Sequence, residues 1–530
     1  MPEESCPTLI AALCDPAAYD HPVEAVRLVQ THISWVLLTG IYAYKIKKPV
    51  DFGFLDFSTL EKRRFFCEEE LRLNRRLTPN LYVAVVPITG EPAHPRLGGM
   101  GRAFEYAVKM KQFDEADSGD RMASDGRLRP QHIDSLAETL ATFHAQAARS
   151  NAEDHHGLPE AIQKAAEENF SQIHASPATA EDRTRLDALL AWTQAEYERL
   201  RQRLWARKQA GFVRECHGDL HLGNLVLIDG RLVPFDCIEF SENLRWIDVI
   251  SEMAFIVMDL EVKGHRPLAF RLLNRYLEIT GDYAGLDLLD YYRVYRALVR
   301  AKIASLTRAQ SGKDGERDIL VQRYRSYVHY AEEAGRRGRP RLIITHGFSG
   351  SGKSYLAAQL AEILPAIRLR SDIERKRLAD FAESAAIGSE LGGGIYTAEM
   401  TRLTYEHLLE TARNLLATGL SVIVDATFLD RAHRQAQRLL AEELGAGFVI
   451  LSAQAPVEVL RQRVQTRRAM GTDPSEANLD VLEWQMAHHD PLDQSERAYT
   501  LWVDTLNPPQ IDAIVDEINR RHQSARGGIG

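Results

Sequence analysis

The sequence predicts two domains, an α+β domain over about residues 1–335 and an α/β domain with a parallel sheet over about residues 342–520. Three observations predict this division. Short β-branched segments precede a long run of amphipathic helices in the first part, whereas strands and helices alternate in the second part, as in βαβ units. Between the two parts, GRRGRPR interrupts the helical periodicity with glycine and proline, so we expect a linker at residues 336–341.

The composition is that of a globular protein with more than one hydrophobic core. Of the 530 residues, 45% are hydrophobic and 26% are charged, which is enough for two or three folding units. The 74 acidic residues outnumber the 65 basic residues, and the formal net charge is -9. Such a chain has no overall positive field to hold long nucleic acid, so small-molecule partners are favoured.

The cysteine pattern and the lack of long apolar runs favour a cytoplasmic protein. The five cysteines are scattered and lack the CxxC spacing of zinc or redox sites. The sequence shows no secretory signal, and no stretch of about 18 apolar residues is present to cross a membrane. We therefore expect reduced thiols, no membrane partner and a cytoplasmic location, and the oligomeric state is open.

The first domain is predicted to open with a small sheet, within about residues 1–110. A β-branched run from Ile33 to Leu38 meets a tight turn at Thr39-Gly40, and YAYKIKK follows as a second strand. Further elements are expected as an amphipathic helix from Thr59 to Leu77 and strands from Leu81 to Ile88 and from Ala103 to Met110.

Helices are predicted to dominate about residues 114–335. The segment from Ile133 to Ala148 has apolar residues at spacings of three and four, and other helices extend to about Leu200 and from Leu244 to Ala334. Between these helical stretches, Asp229-Gly230 separates two apolar arms and predicts a β-hairpin. In the second domain, the strands LIITHG, AIRLRSD, LSVIVDAT and FVILSA alternate with helices and indicate a parallel sheet covered on both faces.

A glycine-rich loop, GFSGSGKS, follows the first strand of the second domain; we call residues 347–354 the phosphate loop. Its glycines let backbone amides turn inward around a phosphate, Lys353 would reach the outer phosphates, and Ser354 could ligate magnesium. The helix that begins near Lys353 adds the positive end of its dipole. The residues predicted to bind phosphate are Gly347, Ser349, Gly350, Ser351, Gly352, Lys353 and Ser354.

Polar residues near the ends of the next strands predict an acceptor site. Asp372 ends the second strand and Arg375 follows three residues later, so both could face one cleft, unless Asp372 is only a helix N-cap. Asp425 ends the third strand, where it could hold magnesium through water or touch the acceptor. Four arginines on a later helix predict a phosphate-closing lid or a solvated face: Arg461, Arg463, Arg467 and Arg468.

These motifs of the second domain resemble the small P-loop kinases related to polynucleotide kinase, zeta toxins and gluconate kinase, over about residues 341–515. The resemblance implies that Lys353 and Ser354 bind ATP and magnesium. It also implies that Asp372 is the catalytic base, that Arg375 binds the substrate, and that lid arginines contact the transferring phosphate. Which of the lid arginines acts is open.

The first domain contains HGDLHLGN at residues 217–224, which we call the catalytic loop. Asp219 and Asn224 are five residues apart, and Asp236 follows the predicted hairpin. These residues supply a base beside an acceptor hydroxyl and two oxygen ligands for magnesium, as positioning-dominated phosphoryl transfer requires. A zinc site at His217 and His221 is disfavoured because the glycines oppose a regular helix, and structural support is the role expected of His217.

This domain resembles the aminoglycoside phosphotransferase family, a branch of the protein-kinase-like fold that includes choline and ketosamine kinases. The resemblance runs from about Ile33 to Tyr330 and includes LAETLATFHAQ before the catalytic loop. It implies that Asp219 is the catalytic base and that Asn224 and Asp236 are magnesium ligands.

The resemblance also implies a pair formed by a strand lysine and a helix glutamate. Lys45 and Lys47 point to the same side of a strand, so the pattern does not separate them, and we prefer Lys45 as the phosphate contact. Glu70 lies on the apolar face of its helix and is the preferred partner, with Glu68 and Glu69 as rivals.

Other residues of the first domain have less specific expectations. The resemblance implies that Lys111, Gln112 and Phe113 form a hinge whose backbone meets adenine and that Asp248 is a buried aspartate that props the catalytic loop. The turn at Thr39-Gly40 is not a GxGxxG loop, and Asp236 lies in FDCIEF rather than in a DFG triplet, so an atypical nucleotide contact is expected. Three acidic residues could attract a cationic acceptor or be surface charge: Glu239, Glu242 and Glu252.

These observations favour a bifunctional ATP-dependent kinase. Both domains would transfer a γ-phosphoryl group to hydroxyls of small molecules such as sugars, amino sugars or nucleotide-like compounds, with ATP and Mg²⁺ as cofactors. One alternative is a single active kinase domain regulated by a nucleotide-sensing ATPase domain. Another is a nucleic-acid-end kinase or toxin-like protein that uses the lid arginines. The acceptors and the order of the two reactions are open.

Overall fold

The structure is a computed structural model that describes residues 8–53, 55–175, 182–310, 314–385, 397–470 and 478–524. The chain divides into two compact units. The first comprises Met1–Lys263 and Tyr291–Ala331, and the second comprises Gly264–Asp290 and Glu332–Gly530. The second unit therefore includes residues 264–290, which the sequence-based boundaries had placed in the first domain.

The helices and strands follow the predicted order, with several additional short elements. The helices are α1 (Thr8–Leu13), α2 (Leu60–Arg75), α3 (Gly119–Ser124), α4 (Pro130–Gln146), α5 (Pro159–His174), α6 (Arg183–Gln209), α7 (Glu242–Arg245), α8 (Val249–Val262), α9 (Arg266–Thr280), α10 (Leu289–Gln310), α11 (Asp314–Ala334), α12 (Lys353–Ile363), α13 (Ser371–Ala385), α14 (Ala398–Ala417), α15 (Arg431–Glu443), α16 (Val457–Met470), α17 (Leu479–Ala487) and α18 (Ile511–Ser524). The strands are β1 (Arg27–Gln30), β2 (Ser34–Leu38), β3 (Tyr42–Lys47), β4 (Tyr82–Glu91), β5 (His94–Leu97), β6 (Glu105–Lys111), β7 (Val213–Glu215), β8 (Leu225–Ile228), β9 (Arg231–Pro234), β10 (Trp246–Asp248), β11 (Arg341–His346), β12 (Ala366–Arg370), β13 (Ser421–Asp425), β14 (Gly447–Gln454) and β15 (Thr500–Asp504).

The first unit opens with an antiparallel sheet in the order β1-β2-β3-β6-β4-β5. Helix α2 packs against β4 and β6. Its N-cap is Thr59, whose hydroxyl accepts a hydrogen bond from the backbone N–H of Lys62 at 3.3 Å. The buried face of α2 includes Cys67, Glu70 and Leu73, so an acidic residue faces the sheet among apolar neighbours.

The predicted hairpin after the catalytic loop is present as β8 and β9. Asp229 and Gly230 both have positive φ angles, of 50° and 75°, as a two-residue type I′ turn requires. Next to it, β7 and β10 form a short antiparallel pair. Helix α8 is buried along almost its whole length.

The second unit contains a five-stranded sheet in the order β12-β13-β11-β14-β15, and all its pairings are parallel. This confirms the predicted α/β class. Helices α12 and α18 cover one core, which includes Leu356, Leu360, Ile423, Leu451 and Ile518. Helix α9 packs against α12 and the edge strand β12. Across the described ranges, no helix combines the length and the apolar character needed to span a membrane.

Two candidate active sites

Lys45 connects three elements of the first unit. Its Nζ atom donates to Glu70 Oε1 at 2.9 Å and to Asp236 Oδ1 at 2.5 Å. Strand β3 supplies the lysine, α2 supplies the glutamate, and the segment after β9 supplies the aspartate. The backbone N–H of Asp236 also donates to the hydroxyl of Tyr82 at 3.1 Å, which fixes the aspartate at the end of the hairpin.

Lys47 lies deeper than Lys45 on the same side of β3. Its Nζ donates to Glu70 Oε2 at 2.7 Å and also contacts Glu239. The Lys47 side chain is fully buried, whereas 12% of the Lys45 side chain is exposed. Lys45 is therefore the lysine nearer to solvent and to Asp236, as the sequence-based preference requires.

The alternative helix glutamates face away from this cluster. Glu68 accepts a hydrogen bond from Arg64 at 2.9 Å on the surface of α2, and Glu69 accepts from Arg72. Glu70 is fully buried. The structure thus places Glu70, rather than Glu68 or Glu69, beside both lysines.

The cluster combines three carboxylates with two ammonium groups. Burial opposes ionisation of Glu70, but Lys45 and Lys47 outweigh it and lower its pKa to about 2. Burial raises the pKa of Glu239. Two ammonium groups face the carboxylates of Glu70, Glu239 and Asp236. Of these carboxylates, that of Asp236 is 41% exposed and is an oxygen ligand of the type that Mg²⁺ takes, so this residue fits the ion.

The catalytic loop holds Asp219 and Asn224 against each other. The Asn224 side-chain amide donates to the backbone oxygen of Asp219 at 3.0 Å and to Asp219 Oδ2 at 2.9 Å. The backbone oxygen of Asn224 accepts a hydrogen bond from the N–H of Phe235 at 3.0 Å. Since Phe235 precedes Asp236, the base of the hairpin brings the three predicted polar residues to one end of the loop.

Asp219 is held in its ionised form. Burial opposes this, but nearby positive charge, first that of His221 and then that of Arg300, holds the pKa of Asp219 well below its usual range. His221 Nε2 lies 3.4 Å from Asp219 Oδ2 and 3.3 Å from Arg300 Nη1. The carboxylate is therefore ionised at neutral pH.

Buried groups that the sequence did not reveal hold the backbone of the catalytic loop. Glu252 accepts hydrogen bonds from the N–H groups of His217 at 3.1 Å and Gly218 at 2.8 Å. Arg296 Nη1 donates to the backbone oxygen of Gly218 at 3.1 Å, and Asp259 Oδ2 accepts from the N–H of Leu222 at 2.9 Å. The sequence signal for this support was the presence of acidic residues within the long apolar run of α8, because a buried charge needs partners.

His217 has the structural role that was expected. Its Nε2 lies 2.8 Å from the backbone oxygen of Phe235, and its Nδ1 accepts from the N–H of Asp219 at 3.3 Å. The imidazole thus joins the catalytic loop to the residue before Asp236. Both ring nitrogens have protein partners, which leaves neither free for a zinc ion.

Three expectations for the first unit need correction. Asp248 is buried, but it accepts two hydrogen bonds from Arg207, at 2.7 and 2.9 Å, and caps α8 instead of contacting the catalytic loop. Glu239 and Glu252 are buried and paired, so they are neither surface charge nor an open cation site. Only Glu242 of that group is largely exposed, and it pairs with Arg245.

Two backbone N–H groups of the predicted hinge are bonded within the domain. The backbone N–H of Lys111 donates to Leu81 O, and that of Gln112 donates to Ile41 O, both at 2.9 Å. Gln112 Oε1 accepts from the N–H of Gly40 at 2.8 Å. These two hinge N–H groups are thus bonded within the domain and do not point toward a base, because the tight turn at Gly40 brings the β2–β3 connection onto the hinge.

In the second unit, the phosphate loop connects β11 to α12 as predicted. Gly347 and Gly350 have positive φ angles, of 135° and 81°. A Cβ atom on Gly347 would lie 2.6 Å from the backbone oxygen of Ala453, and one on Gly350 would lie 2.8 Å from that of Leu460. Only glycine fits these positions, both for conformation and for space.

Lys353 and Ser354 begin α12 at the end of this loop. Lys353 Nζ donates to the backbone oxygen of Phe348 at 2.8 Å, across the loop. The hydroxyl of Ser354 donates to Asp425 Oδ1 at 3.1 Å. A serine hydroxyl beside a carboxylate at a helix N-terminus fits a magnesium nucleotide, since both oxygens suit the ion and the helix favours phosphate.

Arg368 on β12 forms an ion pair with Asp425, and the sequence analysis did not identify this arginine. Its Nη2 donates to Asp425 Oδ2 at 2.6 Å and to the backbone oxygen of Ser354 at 3.1 Å. Burial opposes ionisation of Asp425, but Arg368 lowers its pKa. The sequence signal was Arg368, the first arginine in AIRLR, because a charged residue is unusual in a strand of buried residues.

Asp372 and Arg375 lie in the first turns of α13, and Arg375 contacts α14. Helix α13 begins at Ser371, so Asp372 lies in its first turn rather than at its N-cap. Arg375 is buried, and its Nη1 donates to Thr401 Oγ1 at 3.1 Å. Burial raises the pKa of Tyr405, and the charges of both Asp372 and Arg375 act on this tyrosine. Both charged groups thus act electrostatically on one buried phenol.

The predicted lid arginines are not equivalent. Arg461 is exposed and pairs with Glu483 at 2.8 Å. Arg463 Nη2 donates to the backbone oxygen of Thr505 at 2.6 Å, and its Nη1 lies 3.4 Å from the backbone oxygen of Gly350. Arg463 thus supports the phosphate loop through a carbonyl group. The side chains of Arg467 and Arg468 lie outside the described residues.

Two family models match the chain in the order that the sequence motifs predicted. Residues 65–289 match the model described as the phosphotransferase enzyme family, and residues 342–492 match the model described as an AAA domain. The first match includes the catalytic loop and Asp236, and the second includes the phosphate loop, Asp372 and Asp425.

Mycobacterial proteins align with nearly the whole chain. The uncharacterized protein Rv2004c of Mycobacterium tuberculosis is 31% identical over 496 residues, which cover 91% of this chain and 96% of that protein. The uncharacterized protein Mb2027c of Mycobacterium bovis aligns with the same values. The chain belongs to this family. Its members share the full two-domain length, and this member is an aminoglycoside phosphotransferase-type kinase domain followed by a P-loop kinase domain.

Solved structures align with parts of the chain. A gluconokinase from Sinorhizobium meliloti is 22% identical, covers 37% of this chain and 100% of its own, and has a TM-score of 0.27. An ethanolamine kinase from Plasmodium vivax is 9% identical, covers 57% of this chain and 81% of its own, and has a TM-score of 0.36. The family matches make this protein a kinase with two nucleotide-binding domains.

Proposed function

We propose that the protein is a bifunctional phosphotransferase that uses ATP and Mg²⁺. Each domain transfers a γ-phosphoryl group to a hydroxyl of a small molecule, such as a sugar, an amino sugar or a nucleotide-like compound. The convergence of Lys45, Glu70 and Asp236 carries this proposal for the first domain, since residues up to 191 positions apart in sequence meet within hydrogen-bond distance.

In the first domain, the chain supplies a base and a set of phosphate and metal contacts. The ionised Asp219 accepts the proton of the acceptor hydroxyl. Lys45, fixed by Glu70, contacts the phosphates of the nucleotide. Asn224 and Asp236 would hold Mg²⁺, which neutralises charge on the phosphate oxygens when bound.

In the second domain, the phosphate loop and α12 hold the nucleotide. The backbone N–H groups of the loop and Lys353 contact the phosphates, and Ser354 with Asp425 would hold Mg²⁺. Asp372 accepts the proton of the acceptor hydroxyl, and Arg375 contacts the acceptor. The position of Asp372 and Arg375 three residues apart in the first turns of α13, directly after strand β12, supports this assignment.

Product analysis with single-residue variants tests the proposal. The purified protein is incubated with γ-labelled ATP and a metabolite extract, and labelled products are compared among the wild type, Asp219→Asn and Asp372→Asn. Each variant is expected to lose about 100-fold or more of one product class and to retain the other. Asp125→Asn and Asp512→Asn, which change exposed aspartates of the two units, are the matched controls.

The outcomes separate the proposed function from a sensor function. If Asp372→Asn loses no product but the wild type binds Mg-ATP at the phosphate loop, the second domain is a nucleotide sensor and not a kinase. If neither variant loses a product, neither aspartate is a catalytic base and the bifunctional proposal is wrong.

A further inference from the structure

Two adjacent histidines and a glutamate of the first unit form a cluster that the proposed reaction does not use. His155 and His156 lie in the loop between α4 and α5, and Glu242 begins α7. One candidate ligand atom of each residue lies within 4.8 Å of the other two. The centroids of the two imidazole rings are 4.1 Å apart. Two imidazoles and a carboxylate therefore come together at one place.

The spacing of this cluster fits the ligands of a zinc ion. Zinc binds imidazole nitrogen and carboxylate oxygen at about 2.0–2.2 Å in a tetrahedral arrangement, so two of its ligand atoms are roughly 3.3 Å apart. His156 Nε2 and Glu242 Oε2 are separated by 3.3 Å. His155 is exposed, so its side chain can rotate to bring the third ligand atom to the same spacing.

Two of the three side chains are oriented by residues behind them. The ring of His156 stacks on Trp246, with centroids 5.0 Å apart and an interplanar angle of 13°. The second carboxylate oxygen of Glu242, Oε1, accepts a hydrogen bond from Arg245 Nη2 at 3.3 Å. Outer partners of this kind orient the ligands of metal sites. An ion would therefore meet one imidazole and the carboxylate already in position.

A buried lysine fixes the backbone of the loop that carries the histidines, residues 150–157, which we call the histidine loop. Lys208 Nζ donates to Ser150 Oγ at 3.0 Å, to the backbone oxygen of Asn151 at 3.0 Å and to that of His156 at 2.7 Å. The side-chain Oδ1 of Asn151 also accepts from the backbone N–H of Asp154 at 2.9 Å. The loop is thus ordered before an ion binds, which reduces the entropy lost on binding.

We propose that His155, His156 and Glu242 form a zinc site. The ion takes one nitrogen from each imidazole and Oε2 from Glu242, while Oε1 stays bonded to Arg245 and water completes the coordination. Imidazole ligands suit zinc, whereas magnesium takes oxygen ligands. The bound ion joins the histidine loop to α7. This inference does not depend on whether either domain transfers phosphate.

Calorimetric titration of the full-length protein with Zn²⁺ tests the site. The protein carries no histidine tag, and Mg²⁺ is present in excess to fill oxygen-ligand sites. The wild type is expected to bind one zinc ion at this site, and His155→Ala, His156→Phe and Glu242→Gln should each weaken its binding at least about tenfold. Phenylalanine keeps a flat ring to stack on Trp246, so His156→Phe removes a ligand and retains the packing.

A matched control separates a metal site from a surface ion pair. His174 Nε2 lies 3.4 Å from Asp187 Oδ1, which is close to the distance between His156 and Glu242, but this pair is not part of a three-ligand cluster among the described residues. His174→Phe is therefore expected to leave zinc binding unchanged. A wild type that binds no zinc, or an affinity that stays the same in His155→Ala and His156→Phe, would overturn the proposal.

X-ray absorption spectroscopy of the zinc complex identifies the ligands directly. The account predicts nitrogen and oxygen ligands at about 2.0–2.2 Å. A sulfur ligand at about 2.3 Å would place the ion at a cysteine instead and would contradict the proposal. Hydrogen exchange locates the ion independently, because peptides that cover residues 150–157 should gain protection with zinc in the wild type but not in His156→Phe. Equal exchange with and without zinc in the wild type would refute the site.

Discussion

Glu252 offers a quantitative test of how the catalytic loop is held. This fully buried carboxylate accepts from the N–H groups of His217 and Gly218 and lies 3.1 Å from His144 Nε2. Burial opposes its ionisation, but the hydrogen bond with His144 and the other interactions lower its pKa from 4.5 to about 2. At about 1.4 kcal/mol for each pKa unit, the ionised form stabilises the folded first unit by about 3 kcal/mol.

The substitution Glu252→Gln keeps the shape of the side chain and removes this charge. The first unit should lose about 3 kcal/mol of its free energy of unfolding at pH 7. Hydrogen exchange during urea denaturation resolves the two units, with peptides of the catalytic loop reporting the first and peptides of the phosphate loop reporting the second. Glu242→Gln, which changes a side chain that is 59% exposed, should cost less than about 1 kcal/mol.

The lowered pKa of Glu252 determines how its contribution to stability changes with pH. The folded pKa of Glu252 lies below the unfolded value, so its contribution is complete above about pH 4.5 and is lost as the pH falls toward about 2. The difference between the wild type and Glu252→Gln should therefore be constant from pH 7 to pH 5 and should shrink below about 4.5. A loss equal to that of Glu242→Gln, or a difference that grows on acidification, would refute the reasoning.

Three further substitutions separate groups with different roles. Lys45→Met should reduce phosphoryl transfer by the first domain about 100-fold or more and leave the fold unchanged. Lys47→Met should instead lower the free energy of unfolding by about 3–5 kcal/mol, because it leaves buried carboxylates unpaired. Equal effects of the two substitutions in kinetic and urea assays would contradict this. Arg463→Ala should raise the KM for ATP of the second domain several-fold, since it frees a carbonyl of the phosphate loop, whereas Arg461→Ala should stay within about twofold in the same assay. Ser354→Ala should raise the Mg²⁺ concentration for half-maximal nucleotide binding, measured by calorimetry, and an unchanged requirement would argue against a metal contact.

Much of the fold could be predicted because its signals are local. The hairpin at Asp229-Gly230 needs two residues with positive φ, and the sequence supplies residues that adopt it. The strands of the parallel sheet are apolar runs that alternate with helices. Strand β15 was not expected because it is a short edge strand whose Trp502 is exposed, so it lacks the buried pattern of its neighbours.

The boundary between the two units could not be predicted from local sequence. Helix α9 is amphipathic like the helices before and after it, and nothing in its periodicity states which sheet its apolar face covers. Its tertiary contacts, among them those of Asn274 and Glu278, assign it to the second unit. Helix identity is a local property, whereas the partner of a helix is set by long-range packing.

The candidate sites likewise contain residues that the sequence predicted and residues that it did not. The contact between Asp219 and Asn224, and the position of Asp236 after the hairpin, could be anticipated from motif spacing because these groups lie close together in sequence. The partners of the supporting residue Glu252 could not be identified, since the groups that donate to it lie up to 108 positions away in sequence. Arg368 was missed for the same reason, because its partner Asp425 is on a neighbouring strand.

Isothermal titration calorimetry of the full-length protein with a non-hydrolysable ATP analogue at saturating Mg²⁺ tests the central claim of two independent nucleotide sites most directly. The account predicts two nucleotides for each chain, falling to one in Lys353→Ala while transfer by the first domain continues. A stoichiometry of one or zero in the wild type would contradict the account.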